Sequence, residues 1–330
     1  MVLDFCKIAA YFIHMDEIGS KLPSRIGVLP LPGFTLASYA CVVEPFRAAN
    51  LLSRKNLYEV IHFGEASVPS SGGVEVPAQA MVGDVMDLDM LLVVAGGDPF
   101  AYDNPPVLQW LGRMARRGIL LGGVSGGPVI LARAGLMDGR RMTVHWEHAA
   151  GLAEMSPGLM LERSLYVIDR DRVTCAGGTA PLDLMHALIA RDHGAVFAQL
   201  VSDWFLHTDI RPSSGAQRGG LVERVGTTSA PILAAVEAME NHVADPLTLG
   251  DLAAFANVSP RQLLRLFNER LGVSVMAYYR DLRLDVAERL MSGSPLALTE
   301  IALATGFANS SHFSNAYRVR FGMAPSKARR

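Results

Sequence analysis

Apolar and polar positions along the chain follow two rhythms. Between residues 25 and 207, short apolar β-forming runs alternate with stretches whose apolar residues recur at helical spacing. A chain that builds a parallel sheet and covers it with helices has this alternation. The predicted strands are 26–31, 58–63, 90–95, 119–124 and 172–175, and the predicted helices 36–52, 106–117, 129–134, 181–190 and 195–207. Residues 90–95 are apolar without interruption, as expected of a strand covered on both faces. From residue 231 onward the rhythm is helical only, and residues 211–220 in between have the make-up of a linker. The expected organisation is an N-terminal extension (1–24), an α/β parallel-sheet sandwich (25–208), a linker (209–230) and an all-α domain of two helix-turn-helix units (231–330).

The helical region carries an internal duplication: residues 249–259 and 298–308 share apolar positions, a small residue and a turn that leads into a further helix. In the first copy Leu249, Leu252, Ala253 and Ala256 form one buried face. Ser259 and Gln262 are spaced as a capping box, with Pro260 at the first helical position, so a new helix starts there. Leu263, Leu266 and Phe267 then point inward, and Arg261, Gln262, Arg265 and Asn268 outward. In the second copy Phe307 plugs the turn and Phe313, Ala316 and Tyr317 point inward, which leaves Ser311, His312, Asn315 and Arg318 outside. The outward sets contain side chains that read base edges or grip phosphate. A helix over 274–291, about 27 Å long, joins the copies and would hold two reading helices about one DNA turn apart. For either copy alone, a bundle helix with a solvated outer face is an equal reading; the repeated order of helix, plug and helix favours DNA.

The pattern Ala-x-x-x-Gly-Phe-x-Asn-x-Ser-x-Phe-Ser, standing here from Ala302 to Ser314 and followed by Tyr317, Arg318, Phe321, Gly322 and Pro325, resembles the DNA-binding domain of AraC/XylS-family regulators over about residues 231–326. Val275, where the family often has proline, and Ala328, where an aromatic is common, depart from it.

Composition narrows the classes. With 30 Lys/Arg against 32 Asp/Glu, 50% hydrophobic and 19% charged residues, the chain is neither disordered nor a basic nucleic-acid coat. Residues 231–330 hold 11 basic and 9 acidic side chains against 19 and 23 before them, which permits a DNA-binding C-terminal part. Cys6, Cys41 and Cys175 spell out neither a disulfide framework nor a metal site, and a reducing cytoplasm is expected. No apolar run is long enough to span a bilayer, so no membrane partner is expected.

The chemistry of the first region centres on Gly123-Val124-Ser125-Gly126-Gly127, a G-x-S-x-G elbow that lifts a nucleophile above a parallel sheet. Taken literally it is a serine hydrolase: Ser125 attacks, His145 takes its proton, and Glu147 or Asp183 orients the imidazole. Residues 25–192 resemble the class I glutamine amidotransferase-like superfamily, in its PfpI-type branch. The residues concerned are Gly33, the 89–97 strand ending in Gly-Gly, the elbow, residues 131–140, Thr143-Val144-His145-Trp146 and Ala176-Gly177-Gly178-Thr179-Ala180. The resemblance implies a cysteine at the elbow and an acid beside it. Ser125 replaces the first and Ser38 falls at the second, so a retained pocket without its chemistry is expected.

Fused in this order, the domains resemble AraC-family regulators with an amidotransferase-like sensor, several of which respond to glycine betaine, carnitine or arginine. The implied partners are promoter DNA, RNA polymerase, a second copy of the chain, and a small amine, quaternary ammonium or amino-acid effector, with no cofactor or metal. For the effector, a carboxylate would rest on the amides of Gly126 and Gly127. An ammonium would sit on Trp146 near Glu44 or Glu147. At equal weight, Trp146 is ordinary core, Glu44 pairs within its helix, and His145 is a structural histidine.

Overall fold

The computed structural model describes residues 23–294 and 296–328; most of the expected extension lies outside them. The chain forms two compact units, Met1–Gln217 and Arg218–Arg330. In the first, the elements run β1 (Ser24–Pro30), α1 (Leu36–Ser53), β2 (Tyr58–His62), β3 (Ser67–Pro69), β4 (Glu75–Pro77), β5 (Met90–Ala95), α2 (Pro105–Arg116), β6 (Leu120–Ser125) and α3 (Gly127–Arg133). They continue through β7 (Arg141–Met142), α4 (Trp146–Met155), β8 (Met160–Leu161), β9 (Tyr166–Asp169), β10 (Arg172–Cys175), α5 (Ala180–His193) and α6 (Ala195–Trp204).

The main sheet has strand order β2-β1-β5-β6-β10-β9, parallel except for β9. Strand alternation sends Leu92 and Val94 to one face, with α1, α5 and α6, and Leu91, Val93 and Ala95 to the other, with α2, α3 and α4. This is why the 90–95 run had to be apolar throughout. Helix α3 begins at Gly127, two residues before its expected start, and only glycine fits that position, since a side chain there would meet the Val93 carbonyl oxygen at 2.1 Å. The strands β3, β4, β7, β8 and β9 went unforeseen; at two to four residues they are too short to show a period.

The second unit comprises α7 (Leu221–Val225), α8 (Ala230–Asn241), α9 (Leu249–Phe255), α10 (Pro260–Leu271), α11 (Val275–Gly293), α12 (Leu298–Ala304), α13 (Ser310–Phe321) and α14 (Pro325–Ala328). It has two cores. Ile232, Leu252, Leu263 and Phe267 pack with Val275 and Tyr279 from the start of α11. Ile301, Phe307, Phe313 and Tyr317 pack with Leu284, Ala287 and Leu290 from its end. One 19-residue helix thus belongs to both cores.

The linker expected over 209–230 requires correction. Arg211, Ser213 and Gln217 are hydrogen-bonded within the first unit, and Leu221–Val225 is a helix packed within the second. Composition shows the Ser and Gly of this stretch but not the buried acceptors that its Arg and Gln reach.

Candidate DNA-reading surfaces and the elbow site

The two copies in the second unit match turn for turn. Asn257 and Gly306, both with positive φ, end α9 and α12, and the next amides, Val258 and Phe307, donate to Ala253 and Ala302. The register then shifts by one. The α10 cap is Ser259, which accepts from the Gln262 amide at 3.2 Å, and the α13 cap is Asn309, which accepts from the His312 amide at 2.8 Å. Of the expected Ser259–Gln262 box, this forward half is the one formed; a reciprocal box closes instead at the start of α9, between Thr248 and Asp251.

Helices α10 and α13 both span 12 residues, bury Leu263 and Phe267 or Phe313 and Tyr317, and end on a left-handed glycine, Gly272 or Gly322. Arg261, Gln262, Arg265 and Asn268 are exposed, and so are Ser311, His312, Asn315 and Arg318. Each residue of the first set has its counterpart 50 positions on in the second. An ion pair of 3.9 Å from Arg265 to Glu269 leaves the guanidinium open to solvent. The amphipathic expectation for these faces is met, with Leu266 and Ala316 half-buried rather than fully inside.

A connection not anticipated from the sequence fixes one helix-turn-helix copy on the other within the second unit. Arg283 of α11 donates to the carbonyls of Thr305 (2.8 Å) and Gly306 (3.1 Å), and its guanidinium lies 4.4 Å from the Phe307 ring centre. A side chain at Gly306 would meet Pro246 Cγ at 2.5 Å and the Val243 carbonyl at 2.7 Å, so the second turn sits directly on the loop before α9. Tyr279 ties that loop to α11, donating to the His242 carbonyl and accepting from the Leu247 amide at 3.3 Å.

In the first unit the strand ends at Pro30, Ala95, Ser125 and Cys175 meet at the carboxyl edge of the parallel sheet, where open α/β sheets hold ligands. Ser125 has φ +61°, the strained elbow conformation. Gly177 lies against it so closely that a side chain there would come within 2.6 Å of Ser125 Cβ. Ser38 is buried and accepts the Gly178 amide at 2.8 Å, so the position of the expected acid holds a turn in place.

The hydrolase geometry is not assembled. Among the described residues no hydrogen bond joins the Ser125 hydroxyl to His145; the contact is between backbones, from the His145 amide to the Ser125 carbonyl at 3.3 Å. Nδ1 of His145 accepts the Glu147 amide at 3.4 Å and so caps α4. With Nδ1 accepting, the proton of the neutral ring sits on Nε2, the opposite of what a base facing serine requires. Burial lowers the His145 pKa, partly opposed by Glu147. Asp183, a proposed orienting acid, is fully buried and held instead by His207 and Arg211. Glu147 is exposed, its carboxylate 3.7 Å from Nδ1. Burial pushes the Cys175 thiol up to about 12, far from a usable thiolate.

Two effector contacts also need correction. The Gly126 amide donates to the Ala95 carbonyl at 3.0 Å, closing the β5–β6 edge, so it has no hydrogen left for a carboxylate. Glu44 is paired within its helix with Arg47 at 2.6 Å. The Trp146 ring, half-buried, lies 5.3 Å from that of His145, whose ring is 5.8 Å from that of His148. His148 was not singled out from the sequence; it is 4% exposed, packs on Phe100, and its Nδ1 is buried without a hydrogen bond. A histidine at helical spacing from Gly151 and Leu152, on the buried face of α4, was the available signal.

Comparison with known proteins agrees with both halves. Residues 252–330 match a helix-turn-helix domain and residues 34–191 the DJ-1/PfpI family. The chain is 43% identical to the HTH-type transcriptional regulator GlxA of Rhizobium meliloti, covering 94% of this chain and 97% of that protein. It is 39% identical to the HTH-type transcriptional regulator CdhR of Pseudomonas aeruginosa, covering 91% and 90%. Its fold is similar to the crystal structure of an AraC family transcriptional regulator from Pseudomonas putida, with TM-score 0.50 and 28% identity over 56% of this chain and all of that one.

Proposed function

Since the chain belongs to the HTH-type transcriptional regulators that join a DJ-1/PfpI domain to an AraC-type DNA-binding domain, we propose that it activates catabolic genes when a small amine, quaternary ammonium or amino acid occupies the elbow site. It is a sequence-specific DNA-binding regulator. In our reading it works in the cytoplasm as a homodimer on promoter DNA, in contact with RNA polymerase, and carries out no reaction of its own.

The observation that carries DNA reading is the pair of equal helices whose exposed residues correspond at a fixed interval of 50, from Arg261 to Asn268 and from Ser311 to Arg318. Each set presents side chains suited to base edges or phosphates. For the effector, Ser125, Gly127, His145, Trp146 and Glu147 remain the proposed contacts. The neutral imidazole of His145 and the carboxylate of Glu147 put no positive charge there, which suits a cationic ligand against Trp146.

The test is a footprint of the full chain on duplexes selected from a random pool, with glycine betaine, L-carnitine and L-arginine as effector probes. Protection of two adjacent major-groove segments, altered by one probe, is expected. The positive φ of Ser125 is what favours the second reading, a serine hydrolase. Turnover of amide or ester substrates that disappears in Ser125→Ala, while DNA binding persists, would establish that reading instead.

A further inference from the structure

We infer that the segment from His207 to Gln217 is a strap, latched to the sensor at two points, whose release reports occupancy of the elbow to the DNA-binding unit. The inference rests on the regulator reading above and assigns it a moving part.

The first latch is Asp183. Its carboxylate, fully buried on α5, receives His207 Nε2 at 2.8 Å, the Arg211 amide at 2.8 Å, and Arg211 Nε and Nη2 at 3.0 and 2.6 Å. The same Nη2 donates to Thr179 Oγ1 at 3.0 Å, in the turn whose Gly177 abuts Ser125. The second latch is Gln217. Its Nε2 donates to Ser164 O at 2.7 Å and to Thr143 Oγ1 and Val144 O at 3.0 Å. Thr143 and Val144 lead straight into His145, whose amide is bonded to the Ser125 carbonyl. Between the latches, the Leu165 amide donates to the Ser213 carbonyl at 2.8 Å. The first latch therefore holds side chains of α5 and of the turn whose Gly177 abuts Ser125, and the second holds the residues that run into His145.

The second latch is built to let go. An amide NH2 has two hydrogens, here shared among three acceptors, and Gln217 Oε1 is buried with no partner. Rotating the amide would only turn its oxygen onto the Val144 and Ser164 carbonyls. An unpaired buried oxygen offsets part of what the three contacts contribute, so a modest displacement of Thr143–Val144 tips the balance.

Release changes the tether. With Gln217 latched, the steps from it to Leu221, where α7 begins, span at most about 14 Å. With both latches open, the free chain from Leu206 to Leu221 spans up to about 50 Å. Tether length sets how readily two DNA-binding units in a dimer engage one site together, so the strap converts occupancy into DNA affinity.

The test compares the full-length wild type with Gln217→Glu, which sets a carboxylate against the Val144 and Ser164 carbonyls, and Asp183→Asn at the other latch, which keeps the inference testable should one variant fold poorly. Hydrogen exchange at the Leu165 amide reads the strap, and affinity for the selected duplex, without probe and with glycine betaine or L-arginine, reads the output. Exchange faster by about tenfold, with probe-free affinity altered about fivefold or more in the direction that the effective probe drives the wild type, is expected. Faster exchange with affinity within about twofold of wild type overturns the strap, as does unchanged exchange in both variants. A wild type that retains no duplex, or responds to no probe, defeats the regulator reading instead.

Discussion

Asn257 and Gly306 hold the same place in the two helix-turn-helix units, with φ of 52° and 70°. In one unit a side chain is tolerated in the left-handed turn; in the other it is forbidden by Pro246 and Val243. The substitutions Asn257→Gly and Gly306→Ala should therefore differ sharply. The first is expected to change stability by only a few tenths of a kcal/mol, the second to destabilise by about 2–3 kcal/mol through φ and collision together. Urea unfolding of the two variants checks this; equal midpoints would show that the second turn is not seated on the loop before α9.

Arg283 grips two carbonyls and an aromatic face at once. Arg283→Ala should cost about 2–3 kcal/mol of stability in the second unit. Arg283→Lys should recover little of it, because an ammonium cannot reproduce the planar fork. Full recovery by lysine, measured by thermal unfolding, would mean that charge alone matters here.

Arg265 and Arg318 lie on the exposed faces of α10 and α13. Arg265→Ala and Arg318→Ala should each weaken specific binding by about 1–3 kcal/mol if they read bases, with relaxed preference at one position. A phosphate contact would instead lower affinity for all sequences and reduce the salt dependence. Binding titrations at several salt concentrations separate the two, and unchanged footprints in the double variant would remove these faces from the interface.

His148 gives the first unit a pH dependence of definite sign. Burial, with His145 adding to it, lowers its pKa from 6.5 to about 4. Below pH 6.5 the unfolded chain takes up the proton before the folded one does. Stability present above that value is thus lost progressively as the pH falls toward about 4, by on the order of 2–3 kcal/mol. His148→Leu should flatten this part of the profile; denaturant midpoints that fall as steeply between pH 7 and 5 in the variant would contradict it.

The sheet and helices of the first unit were legible because burial imposes periods on the sequence: Leu91 and Leu92 face opposite layers, and an unbroken apolar run follows. The exposed faces of α10 and α13 were legible for the same reason, since exposure at Arg261, Arg265 and Asn268 recurs once per helical turn. The polar contacts were not. The Gly126 amide is taken by Ala95 through strand register, and Asp183 meets His207 and Arg211 from 24 and 28 residues away. Neither leaves a local pattern. Glu44 illustrates the reverse, where the partner three residues on, Arg47, was the better guide.

Because α11 contributes Tyr279 to one core and Leu284 to the other, the two helix-turn-helix copies share a single rigid axle and cannot adjust their separation independently. An operator engaged by both should tolerate base changes within its spacer but not a change in spacer length. Inserting one base pair rotates one half-site against the other by about 34°, out of phase with an axle that does not twist to follow.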